Sequence, residues 1–208
     1  MKRSIVLFAF TIACLVPGTS RATLIFSDNF NTETLGLNYT GFANWTVSGG
    51  TVDLIGDPAF FDFLPGNGRY VDLDGSTSDA GIMTSSALSF TSGVTYDLSF
   101  SLAGSQRGDT NTLTYGIDFN SDGVLEVFSG TTLPSNVGFG VFGLTFTPFS
   151  STSNARIVFG QAGGDNVGLL LDNVALNSRV TGVPEPGSLL LLGSGFAGLA
   201  AWRRKHQG

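Results

Sequence analysis

Between residues 23 and 182 no long stretch repeats its apolar residues at a helical interval. The apolar residues come instead in short runs that stop at Gly, Asn, Asp or Pro. Tyr96, Leu98, Phe100 and Leu102 alternate with Thr95, Asp97, Ser99 and Ser101, and Leu144 and Phe146 alternate with Thr145 and Thr147. An extended chain points successive side chains to opposite faces, so each run is a strand with one apolar face. The same reading predicts strands at Leu24–Phe26, Trp45–Ile55, Arg69–Leu73, Gly81–Thr84, Val94–Leu102, Leu113–Phe119, Val137–Phe146, Arg156–Phe159 and Leu169–Leu176. Many short strands separated by turn signals predict an all-β domain, a β-sandwich of jelly-roll type.

The two ends have a different composition. Lys2 and Arg3 precede a run from Ile5 to Val16 that is apolar except for Thr11, and Pro17 and Gly18 end it. Ser20-Arg21-Ala22 places small residues at the −3 and −1 positions of a signal peptidase site. This order predicts a signal peptide over 1–22, with a lipobox around Ile12-Ala13-Cys14 as the alternative. At the other end, Val183-Pro184-Glu185-Pro186-Gly187-Ser188 forms a stiff break, Leu189 to Trp202 is apolar or small, and Arg203, Arg204 and Lys205 follow. Fourteen helical residues at ~1.5 Å each span about 21 Å, against a hydrocarbon core of ~30 Å. The reading is a short transmembrane helix with Trp202 at the interface and the basic cluster held inside. A buried core helix is the alternative, and it gives the terminal basic triplet no purpose. The predicted organisation is therefore 1–22, a 23–182 ectodomain, and a 183–208 tail.

The tail resembles the PEP-CTERM sorting signal of Gram-negative bacteria. Val183, Pro184, Glu185 and Pro186 match its motif, Leu189–Trp202 its short Gly-containing helix, and Arg203, Arg204 and Lys205 its basic end. The resemblance implies an exported protein, anchored in the membrane until an exosortase-type peptidase processes it. It also implies delivery to a cell surface or matrix rich in exopolysaccharide, as in a biofilm.

Charge and missing side chains narrow the ectodomain's chemistry. Four arginines face fifteen carboxylates over 23–182, a formal charge of −11. Such a domain repels phosphate backbones, which disfavours nucleic acid, and it attracts divalent cations. The span contains no Cys and no His, so it lacks Ser-His-Asp and Cys-His nucleophile systems and zinc sites built from those residues. A glycosidase needs two carboxylates. No pair stands out in the sequence, and the expectation is a protein without catalysis.

Three blocks of the ectodomain are similar to a group that often carries this tail. They are Trp45-Thr46-Val47-Ser48-Gly49-Gly50 with Val52-Asp53-Leu54; Val71-Asp72-Leu73-Asp74-Gly75 with Thr95–Phe100; and Gly163-Gly164-Asp165-Asn166 leading to Leu171-Asp172-Asn173-Val174. The group resembles galactose-binding-like jelly rolls, the architecture of many carbohydrate-binding modules. That resemblance implies sugar binding, for which exposed aromatics and hydrogen-bonding side chains are the usual means. The candidates are Trp45, Phe61, Phe63 and Tyr70, with the polar loop Gln106, Arg107, Asp109 and Asn111. Phe60-Phe61-Asp62-Phe63 is the sharpest signal, because consecutive apolar residues cannot all face inward on one strand. The competing reading is a structural surface protein acting by self-association or display.

Two places suggest structural calcium. Asp118, Asn120 and Asp122 carry oxygen ligands at positions 1, 3 and 5 of a calcium loop, with Gly123 at 6. Ser129 stands where a bidentate Glu is expected, and Glu126 comes three residues early. The jelly-roll resemblance implies a second place, at Asp28 and Asp172, where the first and last strands lie together.

Overall fold

The computed structural model describes residues 21–180 apart from Ala59 and Ser78, together with helical residues 193–196, 198, 202 and 203. Its strands are β1 (Arg21–Asp28), β2 (Trp45–Ser48), β3 (Asp53–Gly56), β4 (Arg69–Asp72), β5 (Ile82–Ser85), β6 (Leu88–Phe90), β7 (Thr95–Ala103), β8 (Asn111–Asp118), β9 (Val127–Leu133), β10 (Gly140–Phe146), β11 (Thr152–Gln161) and β12 (Leu170–Val180). They form two six-stranded sheets. One runs β10-β7-β12-β4-β3 with β1 also on β12, and the other β2-β5-β11-β8-β9 with β6 also on β11. The expected jelly-roll sandwich is the fold.

The core lies between the sheets. The inward residues of β7, Tyr96, Leu98, Phe100 and Leu102, are all buried. Phe100 meets Tyr115 of β8 edge-on at 4.7 Å and Phe159 of β11 at 5.0 Å. Burying each such side chain contributes about 1.5–3 kcal/mol. In β12 a register shift between Asp172 and Ala175, with Asn173 at φ 49°, inserts a bulge. It lets Leu169 and Leu171 before it, and Val174 and Leu176 after it, all reach the core.

Trp45–Ile55 is not one strand. Gly49 takes a φ of 72°, and a Cβ on Gly50 would lie 2.3 Å from the Asp79 carbonyl oxygen. The chain turns there, placing β2 in one sheet and β3 in the other. β6 and β9 are further additions. β6 has only three residues, and β9 alternates around Phe128, an apolar residue that faces solvent.

Residues Ala22–Arg179 form one compact unit. β1 begins at Arg21, two residues ahead of the N-terminus that cleavage after Ala22 would create. The rest of the expected signal peptide lies outside the described residues. So do Val183–Pro186, Arg204 and Lys205 of the tail. Among the described residues no helix is long and apolar enough to cross a membrane.

Candidate functional site

On β3 and β4 the register pairs Asp53 with Asp72, Leu54 with Val71, and Ile55 with Tyr70. Leu54 and Val71 belong to the core. Alternation therefore turns Asp53, Ile55, Tyr70 and Asp72 to the opposite face of the sheet. There Ile55, Tyr70, Ala103 and Leu170 form a second apolar cluster, covered by Phe60, Phe63 and Leu64 of the β3–β4 connection.

Tyr70 holds that connection in place. Its hydroxyl accepts from the Phe63 amide at 2.7 Å and the Leu64 amide at 3.1 Å, and donates to Asp62 Oδ1 at 3.1 Å. Burial and the Asp62 carboxylate push its phenol up to about 12. Anchored this way, the connection presents Phe61, which is 55% exposed at a φ of 48°.

Arg107, in the β7–β8 loop, closes the other side. Its guanidinium lies 5.1 Å from the Phe63 ring centre, pairs with Asp72 Oδ2, and donates to the Asn166 carbonyl at 2.7 Å. Asp72 is almost fully buried; Oδ1 accepts from the Asp74 amide at 3.2 Å and the Gly168 amide at 3.0 Å. Burial raises its carboxyl to about 7, against the opposing pull of Arg107 and the amides, and Asp53 adds to the rise. Asp53 accepts from the Asn38 amide at 2.7 Å, the Ser76 amide at 3.2 Å and the Ser76 hydroxyl at 2.7 Å. Leu37, Ile55, Phe61, Phe63 and Ser76 join Asp53, Asp72 and Arg107 around a cleft of about 80 Å³. It offers an aromatic face beside charged hydrogen-bonding groups.

Of the residues singled out by sequence, Phe61, Phe63 and Arg107 meet at this cleft. Trp45 and Tyr70 do not present a face to a ligand. Trp45 is in the core against Phe26, Phe30 and Phe159, with its indole N–H on Asp28 Oδ2 at 3.0 Å, and Tyr70 is fully buried. Gln106 spends its amide on the carbonyls of Gly104, Ser135 and Val137 at 2.8–3.0 Å. Asn111 ties β8 to the Val167 carbonyl at 2.7 Å, and neither it nor Asp109 lines the cleft. Sequence reasoning missed Asp53 and Asp72 as site residues. A carboxylate set between core positions in each of Val52-Asp53-Leu54 and Val71-Asp72-Leu73 was the available signal.

The two candidate calcium positions differ. In the β8–β9 connection, carboxylate oxygens of Asp118, Asp122 and Glu126 lie within 4.8 Å of one another. Asp118 accepts from the amides of Asn120, Ser121 and Gly123 at 2.6–3.1 Å, and Asp122 accepts from the Asn120 side chain at 3.0 Å. Oxygen-only donors suit calcium. At the first and last strands, Asp28 stands close enough to Asp172 to add to the rise that burial causes in the Asp172 carboxyl, to about 7. Asp28 itself accepts from the Phe30 amide, Asn44 and Trp45 at 2.9–3.1 Å. An open polar cleft of about 450 Å³ lies beside it, lined in part by Asn29, Asn44 and Asn173.

Residues 182–205 match the PEP-CTERM protein-sorting motif. That motif marks an exported, exosortase-processed protein. No curated protein matches the chain. Among solved structures, the fold is similar to the tandem CBM22 modules of a Paenibacillus barcinonensis protein, with TM-score 0.52, 14% identity, and coverage of 81% of this chain and 49% of that one. It is also similar to a Clostridium thermocellum endo-1,4-β-D-xylanase structure holding CBM22 and GH10 modules with xylohexaose, with TM-score 0.50, 15% identity, and coverage of 77% and 29%. A third similar structure is an arabinose-bound GH51 α-L-arabinofuranosidase, with TM-score 0.52, 15% identity, and coverage of 80% and 27%. The chain spans less than half the length of each. At these identities the likeness shows the sandwich fold.

Proposed function

We propose that this protein binds carbohydrate at a bacterial surface or in its matrix, and that the cleft at Phe61, Phe63, Arg107, Asp72 and Asp53 is the binding site. The observation that carries this reading is an exposed Phe61 ring beside an exposed Arg107 paired with the buried Asp72 at the mouth of one cleft. A ring face stacks on a sugar face, and charged groups hydrogen-bond hydroxyls. Exopolysaccharide is the ligand this setting suggests. Signal peptidase removes 1–22, and an exosortase-type membrane peptidase processes the tail, in a Gram-negative host. The cleft carboxylates serve binding rather than catalysis: Asp72 is held by Arg107, and Asp53 by Ser76 and backbone amides. Calcium is the structural cofactor of this reading, placed at Asp118, Asp122 and Glu126, where three carboxylates converge. The test is retention on insoluble and secreted polysaccharides. The intact protein is retained and Phe61→Ala is not, while its melting temperature is unchanged; equal retention of both proteins rejects the site.

A second reading, structural self-association, has its own support. β9 and β10 end their sheets, expose Phe128 by 64% and Val141 by 81%, and lie in a stretch with no charged residue between Glu126 and Arg156. Uncharged sheet edges are ready to pair with further strands. Sedimentation as a monomer at high concentration removes this reading.

A further inference from the structure

The cleft has a feature that a site for neutral sugars does not need: acceptors and negative charge in excess. An ionised carboxylate offers about four acceptor positions and no donors. Asp53 uses three of them: Oδ1 takes the Asn38 and Ser76 amides, and Oδ2 takes the Ser76 hydroxyl. Asp72 also uses three: Oδ1 takes the Asp74 and Gly168 amides, and Oδ2 takes Arg107. Among the described residues no further donor reaches them, so each keeps one acceptor position on Oδ2. The two residues face each other across the β3–β4 ladder, and both line the cleft. Arg107 is the one cation among the lining residues. It is already engaged by Asp72 and by the Asn166 carbonyl. Above about pH 7, where Asp72 is also ionised, two carboxylates against one guanidinium leave one negative charge uncompensated on two buried side chains.

The size and walls of the cleft complete the picture. A volume of about 80 Å³ accommodates about two or three water-sized groups, which is an amine and its carbon rather than a sugar ring. Phe61 and Phe63 flank it; the Phe63 ring already carries the Arg107 guanidinium, which leaves Phe61 as the open aromatic face, and such faces attract cations. The group that fits carries one positive charge and several N–H donors. We propose that the cleft selects an ammonium-bearing sugar, a hexosamine residue whose amine is not acylated. The ring stacks outside on Phe61, and the ammonium enters between Asp53 and Asp72. This rests on the carbohydrate reading of the same cleft and narrows its ligand. N-acetylation removes the charge and all but one of the donors, so it removes the fit. Burial raises the Asp72 carboxyl and Asp53 adds to the rise; an incoming cation offsets both.

The test is titration calorimetry of the protein with a β-1,4-linked glucosamine oligomer, its fully N-acetylated counterpart, and the glucose oligomer of equal length. The expected result is that the glucosamine oligomer binds at least about tenfold more tightly than the other two. Asp53→Asn abolishes that preference. Asp97→Asn, which removes a charge elsewhere on the surface, keeps it. Phe61→Ala, a change at an exposed ring that leaves the fold intact, weakens binding of the glucosamine oligomer. If all three oligomers bind equally and depend on Phe61, the ammonium inference falls and the carbohydrate reading stands. If none binds, the ammonium inference falls, and retention on secreted polysaccharide decides the carbohydrate reading. A preference lost equally in Asp53→Asn and Asp97→Asn means diffuse attraction to an acidic protein and overturns the inference. A lysine oligomer that binds as tightly, with the same dependence on Asp53, overturns the assignment to a sugar.

Discussion

Asp172 gives the protein a stability that depends on pH in a direction opposite to that of most carboxylates. The residue is 2% exposed, and burial raises its carboxyl from an ordinary 3.8 to about 7, with Asp28 adding to the rise. A raised carboxyl favours folding while it is protonated. Its contribution is complete below the unfolded value near 3.8 and is lost as pH climbs to about 7. Across that window the native state binds the extra proton, so stability falls with rising pH. The full difference is about 4 kcal/mol, an upper bound because solvent reaches the neighbouring cleft. Asp172→Asn removes the titration. The new amide keeps an oxygen for the Asn173 amide, a 2.6 Å contact in the parent. Its nitrogen meets the Asn173 side chain, which is exposed and turns over at a cost of about 1 kcal/mol. Urea unfolding at about pH 4 and about pH 8, by linear extrapolation, should give near equality or a slight loss for the variant at the lower pH. At the higher pH the variant should be more stable by about 2–3 kcal/mol. A gap between parent and variant that is the same at both pH values refutes the reasoning. Calcium adds a second discrimination. Saturating calcium leaves the gap unchanged if the ion sits in the β8–β9 connection, and reverses it if the ion sits between Asp28 and Asp172.

Two further outcomes are expected. Calcium at about a hundredfold excess over its dissociation constant adds about 2.7 kcal/mol, a rise in melting temperature on the order of 5–10 °C; Asp122→Ala abolishes it, as followed by calorimetry with and without EDTA. Replacing Pro184, Glu185 and Pro186 with alanine leaves the apolar segment in place but blocks processing, so immunoblots of membrane fractions show accumulation of the longer form.

The strand pattern of the ectodomain is legible because the core demands it. β7 alternates from Thr95 to Leu102, since one of its faces packs on Tyr115 and Phe159. Where that demand lapses, the sequence is misleading. Trp45–Ile55 reads as one apolar-rich run, yet Gly49 and Gly50 split it between two sheets. β9 turns Val127 and Leu133 to the core but puts Phe128 into solvent, so no clean alternation marks its buried face. The cleft is half legible. Phe60-Phe61-Asp62-Phe63 betrays itself by having too many consecutive apolar residues for one face. Arg107 belongs to a visibly polar loop, but the burial that makes Asp72 its partner is a tertiary fact, invisible along the chain. Trp45 and Tyr70 show the converse. Their amphipathic rings suit a sugar platform, and in the fold their polar atoms are spent on Asp28 and on the β3–β4 connection.

The central claim is that the ligand sits at Phe61 and Arg107, and chemical-shift mapping of isotope-labelled protein tests it most directly. Titration with oligosaccharides released from the host's exopolysaccharide should move the amides of Phe61, Phe63, Asp72, Ser76 and Arg107 in a saturable way. Shifts centred instead on Asn29, Asn44 and Asn173, or no saturable shift at all, contradict it.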